Sequence, residues 1–167
     1  AEEGGFARYR LTPKQKLDPD FWESPEADTF TDDIRKALAR EPLIIIDTND
    51  EDDNLSTRRY AAANGLSLED IRERIAWSLG RLLKDICDDP HIDMLFITGG
   101  DTLFKCMEAL GVHEMEPICE LTAGVVVSAF TYEGRRRMVI SKSGGFGSND
   151  LLLQLAGIDH DRRCVGA

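Results

Sequence analysis

The amino-acid sequence predicts an α/β domain of three layers, in which helices cover both faces of a mostly parallel central sheet and a hairpin lies near the C-terminus. Short apolar runs, several of them β-branched, alternate along the chain with longer stripes of apolar residues at helical spacing. Two glycine runs each follow an apolar run and lead into a helical pattern, as strand-to-helix turns do.

Residues 1–66 precede the longest predicted helix. Residues 1–30 are rich in Pro, Asp and Lys, and we expect them to form an irregular N-terminal strap beside a domain of residues 31–160. Thr31 is the expected N-cap of the first helix. The β-branched run 43–46 predicts a strand buried on both faces, and residues 49–56, with four acidic side chains, predict a solvated loop.

The longest predicted helix begins at Ser67, which forms a capping-box pattern with Asp70 ahead of a stripe of apolar residues spaced by threes and fours. The predicted elements that follow it are a buried strand at 92–98, a helix at 102–110, a connection at 112–124, a hairpin of strands 125–130 and 137–141 around Glu133 and Gly134, and a last helix capped by Ser148.

Charge and composition restrict the partners. A net charge of -11 argues against sequence-independent binding to nucleic acid or to an anionic membrane, because both require clustered Lys and Arg. The four cysteines show no metal-ligand spacing, which is typical of free thiols in a reducing compartment. No stretch predicts a membrane span or a signal sequence. We therefore expect a cytoplasmic protein, with no nucleic acid and no membrane among its partners.

The first glycine run consists of Gly99 and Gly100, followed by Asp101 and Thr102. In a strand-to-helix turn, glycines let the backbone approach a ligand, and the first N–H groups of the helix carry the positive end of its dipole. This geometry binds phosphate, so we expect both glycines to present N–H groups and Thr102 to add a hydroxyl. Asp101 is either an acceptor for a magnesium-bound water or a ribose hydroxyl, or the N-cap of the helix.

The second glycine run begins with Lys142, Ser143 and Gly144. A lysine ammonium suits a β- or γ-phosphate, whereas the alternative is a surface lysine at a strand end. Phe146 either stacks on a base or fills the core beneath the loop. Two such runs in one small chain predict a nucleotide site.

Other chemistry finds little support in the sequence. Adjacent carboxylates at 50–53 favour a plain acidic loop over a metal site, because neighbouring acidic side chains seldom converge. The three histidines have no spacing for a metal or a catalytic pair, and no serine lies in a GxSxG elbow. We therefore predict no resident metal site and assign no catalytic residue.

Four ordered motifs carry a resemblance to a known family. They are LFITGGDT at 95–102, EALG at 108–111, ELTAGV at 120–125 and KSGGFG at 142–147. Together they resemble the C-terminal nucleotide-binding domain of the four-carbon acid sugar kinases. The likeness is dense from about residue 92 to 155 and weak from 34 to 90.

The resemblance implies ATP-dependent phosphorylation of a tetronate-type sugar acid such as threonate or erythronate, with ATP held at 99–102 and at Gly144. ATP and Mg²⁺ are the expected cofactors. The family also has an N-terminal domain that binds the sugar acid, and its nucleotide domain starts with a strand and a serine-containing loop; neither is visible in this sequence. We therefore expect the C-terminal part of a larger two-domain kinase, inactive in isolation, with a homodimer left open.

One local departure and two alternatives accompany the resemblance. Residues 123–126 read Ala-Gly-Val-Val where the family usually has Pro-Gly-Val-Pro, so the shape of that wall of the site is open. NAD kinases and phosphofructokinases also hold phosphate in a Gly-Gly-Asp turn, but they continue with glycine where this chain has Thr102. A non-catalytic nucleotide-binding or regulatory module is the alternative from a different class.

Overall fold

The computed structural model describes residues 5–146 and 151–157, and it confirms the predicted α/β class. In chain order its elements are β1 (Ala7–Arg10), α1 (Pro13–Leu17), a 3-10 helix (Pro19–Glu23), α2 (Pro25–Leu38), β2 (Ile44–Asp47), α3 (Leu55–Ala63), α4 (Leu68–Ile86), β3 (Met94–Thr98), α5 (Gly100–Ala109), β4 (Glu116–Thr122), β5 (Val125–Tyr132), β6 (Arg135–Lys142) and α6 (Leu151–Ala156). The predicted cap at Ser148 and the predicted domain end at residue 160 lie outside the described residues.

The N-terminal segment is folded, which corrects the expectation of an irregular strap. Its 3-10 helix buries Phe21 and Trp22 in the main core, where the two rings meet edge to face with centroids 5.3 Å apart. The indole N–H of Trp22 donates to the carbonyl of Gln15 at 3.0 Å, which satisfies the polar edge of this large ring. Phe21 and Trp22 therefore hold the segment against the domain.

The elements near the N-terminus also differ from the prediction. Helix α2 begins after Ser24, whose hydroxyl accepts from the N–H of Ala27 at 3.4 Å, so the N-cap predicted at Thr31 is wrong because Thr31 lies inside the helix. β1 pairs in parallel with β2. Thr12 follows β1 and caps α1, where its hydroxyl accepts from the N–H of Gln15 at 3.3 Å.

A buried lysine from α1 organises the loop between β2 and α3. The side chain of Lys16 is 0% exposed, and its ammonium donates to the Asp50 carboxylate, to the Thr48 carbonyl at 2.9 Å and to the Thr57 hydroxyl at 2.5 Å. A buried charge is tolerated when its protons all find acceptors, as they do here. The expectation of a wholly solvated acidic loop at 49–56 is thus corrected: Asp50 forms a buried ion pair.

The larger sheet has the strand order β3-β6-β5-β4. β3 and β6 are parallel neighbours, whereas β5 runs antiparallel to both β6 and β4. The hairpin of β5 and β6 turns at Glu133 and Gly134, as predicted. β4 lies where a connection was expected, and its mostly exposed residues at the sheet edge lack the apolar pattern of the other strands.

Helices pack on both faces of this sheet. Val139 of β6 belongs to the main core with residues of α2, α4 and α5, whereas the next residue, Ile140, packs with Leu151 of α6. α4 and α5 approach each other closely at Gly80, where an added Cβ would lie 2.7 Å from the carbonyl oxygen of Lys105. No helix in the described ranges has the length and apolarity needed to cross a bilayer.

The Lys16 ion pair leads to a prediction about stability. Lys16→Met removes the ammonium and leaves the Asp50 carboxylate, whose side chain is 7% exposed, without its partner. We expect the free energy of unfolding to fall by about 3–5 kcal/mol, the usual cost of breaking a buried pair, in urea denaturation at pH 7. The double variant Lys16→Met/Asp50→Asn should lose less, because no charge remains buried.

The same pair predicts a pH dependence. Burial alone would raise the pKa of Asp50, but hydrogen bonds from Lys16 and Thr57 outweigh burial and lower that pKa. The pair therefore stabilises the fold above the ordinary aspartate pKa of about 3.9, and this contribution disappears as the pH falls below it.

Lys84→Met, at an exposed position of α4, is the control for Lys16→Met and should change the free energy of unfolding by less than about 0.5 kcal/mol. Equal losses in Lys16→Met and Lys84→Met would contradict the role of the buried pair.

Candidate functional site

The two glycine runs lie side by side at one edge of the four-stranded sheet. The last residues of β3 and β6, Thr98 and Lys142, are register partners. The pairing continues one residue further, because the N–H of Gly99 donates to the carbonyl of Lys142 at 3.0 Å. Both runs therefore emerge from the carboxyl ends of parallel strands, where open α/β sheets bind ligands.

The first run leaves three N–H groups free at the start of α5. Gly99 is the N-cap, with φ of +95°, and has no side chain to cap the helix. Within the described part of the chain, the N–H groups of Gly100, Asp101 and Thr102 donate to no acceptor. Because these groups carry the positive end of the helix dipole, this end of α5 can bind an anion.

Asp101 lies inside the first turn of α5, two residues after the N-cap. The N-cap alternative for Asp101 is therefore wrong, and α5 begins two residues earlier than the sequence pattern predicted. The carboxylate is exposed, and it makes no hydrogen bond or ion pair with any residue in the described ranges. Its charge is thus available to a ligand or a cation at the sheet edge.

The second run forms a tight turn directly after β6. The N–H of Phe146 donates to the carbonyl of Ser143 at 3.4 Å, and Gly145 has a φ of +77°, as the third residue of a type II turn requires. The N–H groups of Gly144 and Gly145 have no acceptor among the described residues. This turn therefore adds two free donors beside those of α5. Gly147 lies outside the described residues.

The conformations of the glycines distinguish those that the fold requires from those that it does not. Of the eleven described glycines, seven have a positive φ, an added Cβ at Gly80 would clash with the carbonyl of Lys105, and one at Gly157 would make ordinary contact with neighbouring backbone. Only Gly100 and Gly144 among them combine a φ outside that region with open space where a Cβ would stand. Both lie at the same sheet edge, so the fold leaves two unfilled positions there, next to the free N–H groups.

Lys142 is the last residue of β6, and its ammonium lies at the second run. It donates to the carbonyl of Ser143 at 3.4 Å and has no carboxylate partner among the described residues. The other nearby lysine, Lys105, is paired with Glu108 at 2.9 Å, and the hydrogen bond that its ammonium donates to the Glu108 carboxylate raises the pKa of Lys105. Lys142 is thus the cation that remains available to an anionic ligand.

The turn between β4 and β5 supports the second run, a role that the sequence analysis did not find. The carbonyl of Gly124 accepts from the N–H of Ser143 at 2.9 Å, and the N–H of Gly124 donates to the Glu120 carboxylate at 2.9 Å. Gly124 has a φ of +72°, and a Cβ there would lie 2.6 Å from the Phe146 ring. These contacts hold the turn in place although the two prolines usual in the family are absent. The motif ELTAGV was the available signal.

Other parts of the described structure offer weaker candidates. A cleft of about 570 Å³ is lined by residues 111–116, 129–131 and Arg136, at the opposite end of β6 from the glycine runs, and the Arg136–Glu116 ion pair at 2.9 Å lies within it. Cys87 and Cys106 are buried free thiols. Burial raises the pKa of Cys106 to about 12, so its reactive thiolate is scarce at neutral pH.

Solved structures share this fold. A protein of Bordetella bronchiseptica described as a domain of unknown function, DUF1537, was crystallised in two forms with bound citrate as a domain-swapped dimer. One form aligns with a TM-score of 0.61 and 22% sequence identity, and the alignment covers 93% of this chain and 35% of that protein. The other form aligns with a TM-score of 0.58 and 21% identity, covering 93% of this chain and 33% of that protein. A Salmonella typhimurium LT2 protein with a provisional tRNA synthase name aligns with a TM-score of 0.56 and 14% sequence identity. The alignment covers 92% of this chain and 35% of that protein.

This chain therefore spans about a third of the length of each of these proteins. At such identities the likeness establishes the fold. No curated protein sequence matches the chain.

The family itself is established by sequence. The family model described as "Nucleotide-binding C-terminal domain" matches residues 2–152, which include the N-terminal segment and both glycine runs. This match confirms the resemblance drawn from the four motifs. On this evidence, with its fold and the paired glycine runs at one sheet edge, the chain belongs to the family of nucleotide-binding C-terminal domains.

Proposed function

We propose that this chain is the ATP-binding domain of a kinase that phosphorylates a four-carbon sugar acid of the tetronate type. The observation that carries the proposal is the pair of open positions at Gly100 and Gly144. Each lies beside free N–H groups, and neither glycine is required by its own backbone conformation. A phosphate chain that approaches the backbone at both positions explains why these residues have no side chain.

The residues at this edge take separate roles in the proposal. The N–H groups of α5 and of the second turn bind phosphate oxygens, and Lys142 adds a point charge for a β- or γ-phosphate. Gly99 gives the turn its positive φ, and the hydroxyls of Thr102 and Ser143 are further donors. The net charge of -11 does not oppose this binding, because distant surface charges are screened by salt.

Asp101 is the residue that links ATP to Mg²⁺ in this proposal. An exposed carboxylate beside a phosphate site repels the ligand unless a cation lies between them. The described residues contain no cluster of His, Cys, Asp or Glu that could hold a metal ion by itself. They fit an ion that arrives with the nucleotide, since Mg²⁺ takes most of its ligands from phosphates and water and one or two from carboxylates. Bound ATP would supply the γ-phosphoryl group, and Mg²⁺ would neutralise the charge that develops during its transfer.

The sugar acid and the partner domain follow from the family resemblance. Kinase catalysis depends on holding the acceptor hydroxyl in line with the γ-phosphate. Apart from Asp101, no acidic or histidine side chain occurs in 98–102 or 142–146 to act as the base. We therefore assign the sugar acid and the catalytic base to an N-terminal domain of the larger protein. A cytoplasmic location and a homodimer belong to the same proposal. A binding module without catalysis is the alternative, because what this edge offers is mainly backbone donors.

The open glycine positions predict that binding and stability can be separated. Gly100→Ala and Gly144→Ala should each weaken ATP binding by about tenfold or more, because the methyl group occupies the space of a phosphate and removes charge-assisted contacts. Neither change should destabilise the fold, and each should raise the free energy of unfolding by up to about 1 kcal/mol through the lower entropy of the unfolded chain. Calorimetric titration with ATP and thermal unfolding of the same samples measure both.

Two control variants accompany the measurements on Gly100→Ala and Gly144→Ala. Lys84→Ala on α4 should leave ATP affinity unchanged, while Gly124→Ala should destabilise the fold, because its Cβ would clash with Phe146. If Gly100→Ala and Gly144→Ala bind ATP as well as the wild type, the phosphate site proposed here is wrong.

The proposed role of Asp101 predicts that the effect of Asp101→Asn on ATP affinity changes sign when Mg²⁺ is added. Without Mg²⁺, Asp101→Asn should bind ATP about two- to fivefold more tightly than the wild type, because a repulsive charge is gone. With Mg²⁺ in excess, the same variant should bind more weakly than the wild type, because an acceptor for the ion or its water is lost. Titrations in chelator and in Mg²⁺ give the two values, and an effect of the same sign in both would remove Asp101 from the proposed metal contact.

Activity distinguishes the kinase from the binding module. The full-length protein that carries this domain should release ADP from ATP only when a suitable sugar acid, such as threonate or erythronate, is added, and the isolated 167-residue chain should not. Gly144→Ala in the full-length protein should lower kcat/KM by about tenfold or more, in line with its weaker binding. A coupled ADP assay measures both. ATP binding without turnover on any four-carbon sugar acid would favour the module.

A further inference from the structure

Phe146 is an exposed aromatic residue directly beside the proposed phosphate site. The residue is 50% exposed, although it is large and apolar. It follows Gly144 by two residues, a distance of roughly 7 Å at full extension. The ring therefore lies close enough to the free N–H groups of this turn for one nucleotide to reach both.

The base of the Phe146 side chain packs against Gly124, where an added Cβ would stand 2.6 Å from Cγ of Phe146 and 2.9 Å from its Cβ. The turn hydrogen bond to Ser143 holds the Phe146 backbone, and Ser143 is itself bonded to Gly124. Of the two alternatives that the sequence left open for Phe146, filling the core is wrong, because the residue is half-exposed and belongs to neither apolar cluster of the described residues.

The exposure of this ring is not explained by packing within the described residues, whereas a flat apolar ligand would cover it. Nucleobases stack on aromatic side chains through their π-faces, and a ring that is already held in place loses little entropy on stacking. A ribose and its first phosphate separate a base from the outer phosphates, which suits the short separation of Phe146 from Gly144.

We propose that Phe146, braced by Gly124, is the stacking platform for the base of the bound nucleotide, with purines preferred for their larger ring area. This inference rests on the proposed function, because it assumes that the phosphates lie at Gly100 and Gly144. Stacking involves contact with the face of a base and not with its hydrogen-bonding edge. The platform therefore favours purine nucleotides over pyrimidine nucleotides and over phosphate chains without a base.

The test compares ATP with inorganic tripolyphosphate, both with Mg²⁺, by calorimetric titration. Phe146→Leu retains an apolar contact with Gly124 but removes the aromatic face, and it should weaken ATP binding roughly 5- to 100-fold. Tripolyphosphate affinity should stay unchanged, and Phe146→Tyr should restore ATP binding. Phe104→Leu is the matched control: Phe104 is a 64% exposed phenylalanine one turn along α5, and its loss should not affect either ligand.

The outcomes separate the platform from the phosphate site. Equal weakening of ATP and tripolyphosphate in Phe146→Leu would overturn the platform, because the ring would then only shape the turn. Unchanged ATP affinity, or an equal effect of Phe104→Leu, would also overturn it. In both cases the wild type still binds ATP and the proposed function stands. If the wild type binds neither ligand, the proposed function fails and the platform with it.

Discussion

Parallel pairing between β3 and β6 is the constraint on which the site depends. These strands are separated by more than thirty residues of chain, and each is followed at once by a glycine run. Because the strands are parallel and in register at their ends, the two runs meet at one edge, joined by the hydrogen bond between Gly99 and Lys142. An antiparallel arrangement of the same strands would place the runs at opposite ends of the sheet. β5 makes the parallel arrangement possible, because it returns the chain to the far end before β6 begins.

Periodic and well-capped segments were predictable from the sequence. The capping box of Ser67 and Asp70 and the apolar stripe of α4 are local signals, and the structure reproduces both. The segments that sequence reasoning missed depend on distant partners. Lys16 is buried because Asp50 and Thr57 surround its ammonium, and β4 is a strand because β5 lies beside it rather than because of its own apolar pattern. Neither relation is visible in a short window of sequence.

The candidate site shows the same division. Glycine runs after apolar strands indicated where a ligand would approach, and the four family motifs indicated the class of ligand. The sequence could not distinguish Gly99, which the backbone conformation requires, from Gly100, which it does not. It also could not show that α5 starts at Gly100, which places Asp101 inside the helix. These distinctions depend on φ angles and on the space around a Cβ, and the surrounding structure sets both.

The open positions at Gly100 and Gly144 also carry a consequence for how this domain changes over generations. At both sites the smallest residue offers the folded chain no advantage, so random substitution there meets no resistance from folding. A lineage in which the ligand ceased to matter would accumulate alanine or serine at these two positions early, while Gly99, Gly124 and Gly145 persisted, because their positive φ angles restrict other side chains. The pattern of glycine loss within a group of such domains thus indicates whether selection has kept the proposed phosphate site able to bind its ligand.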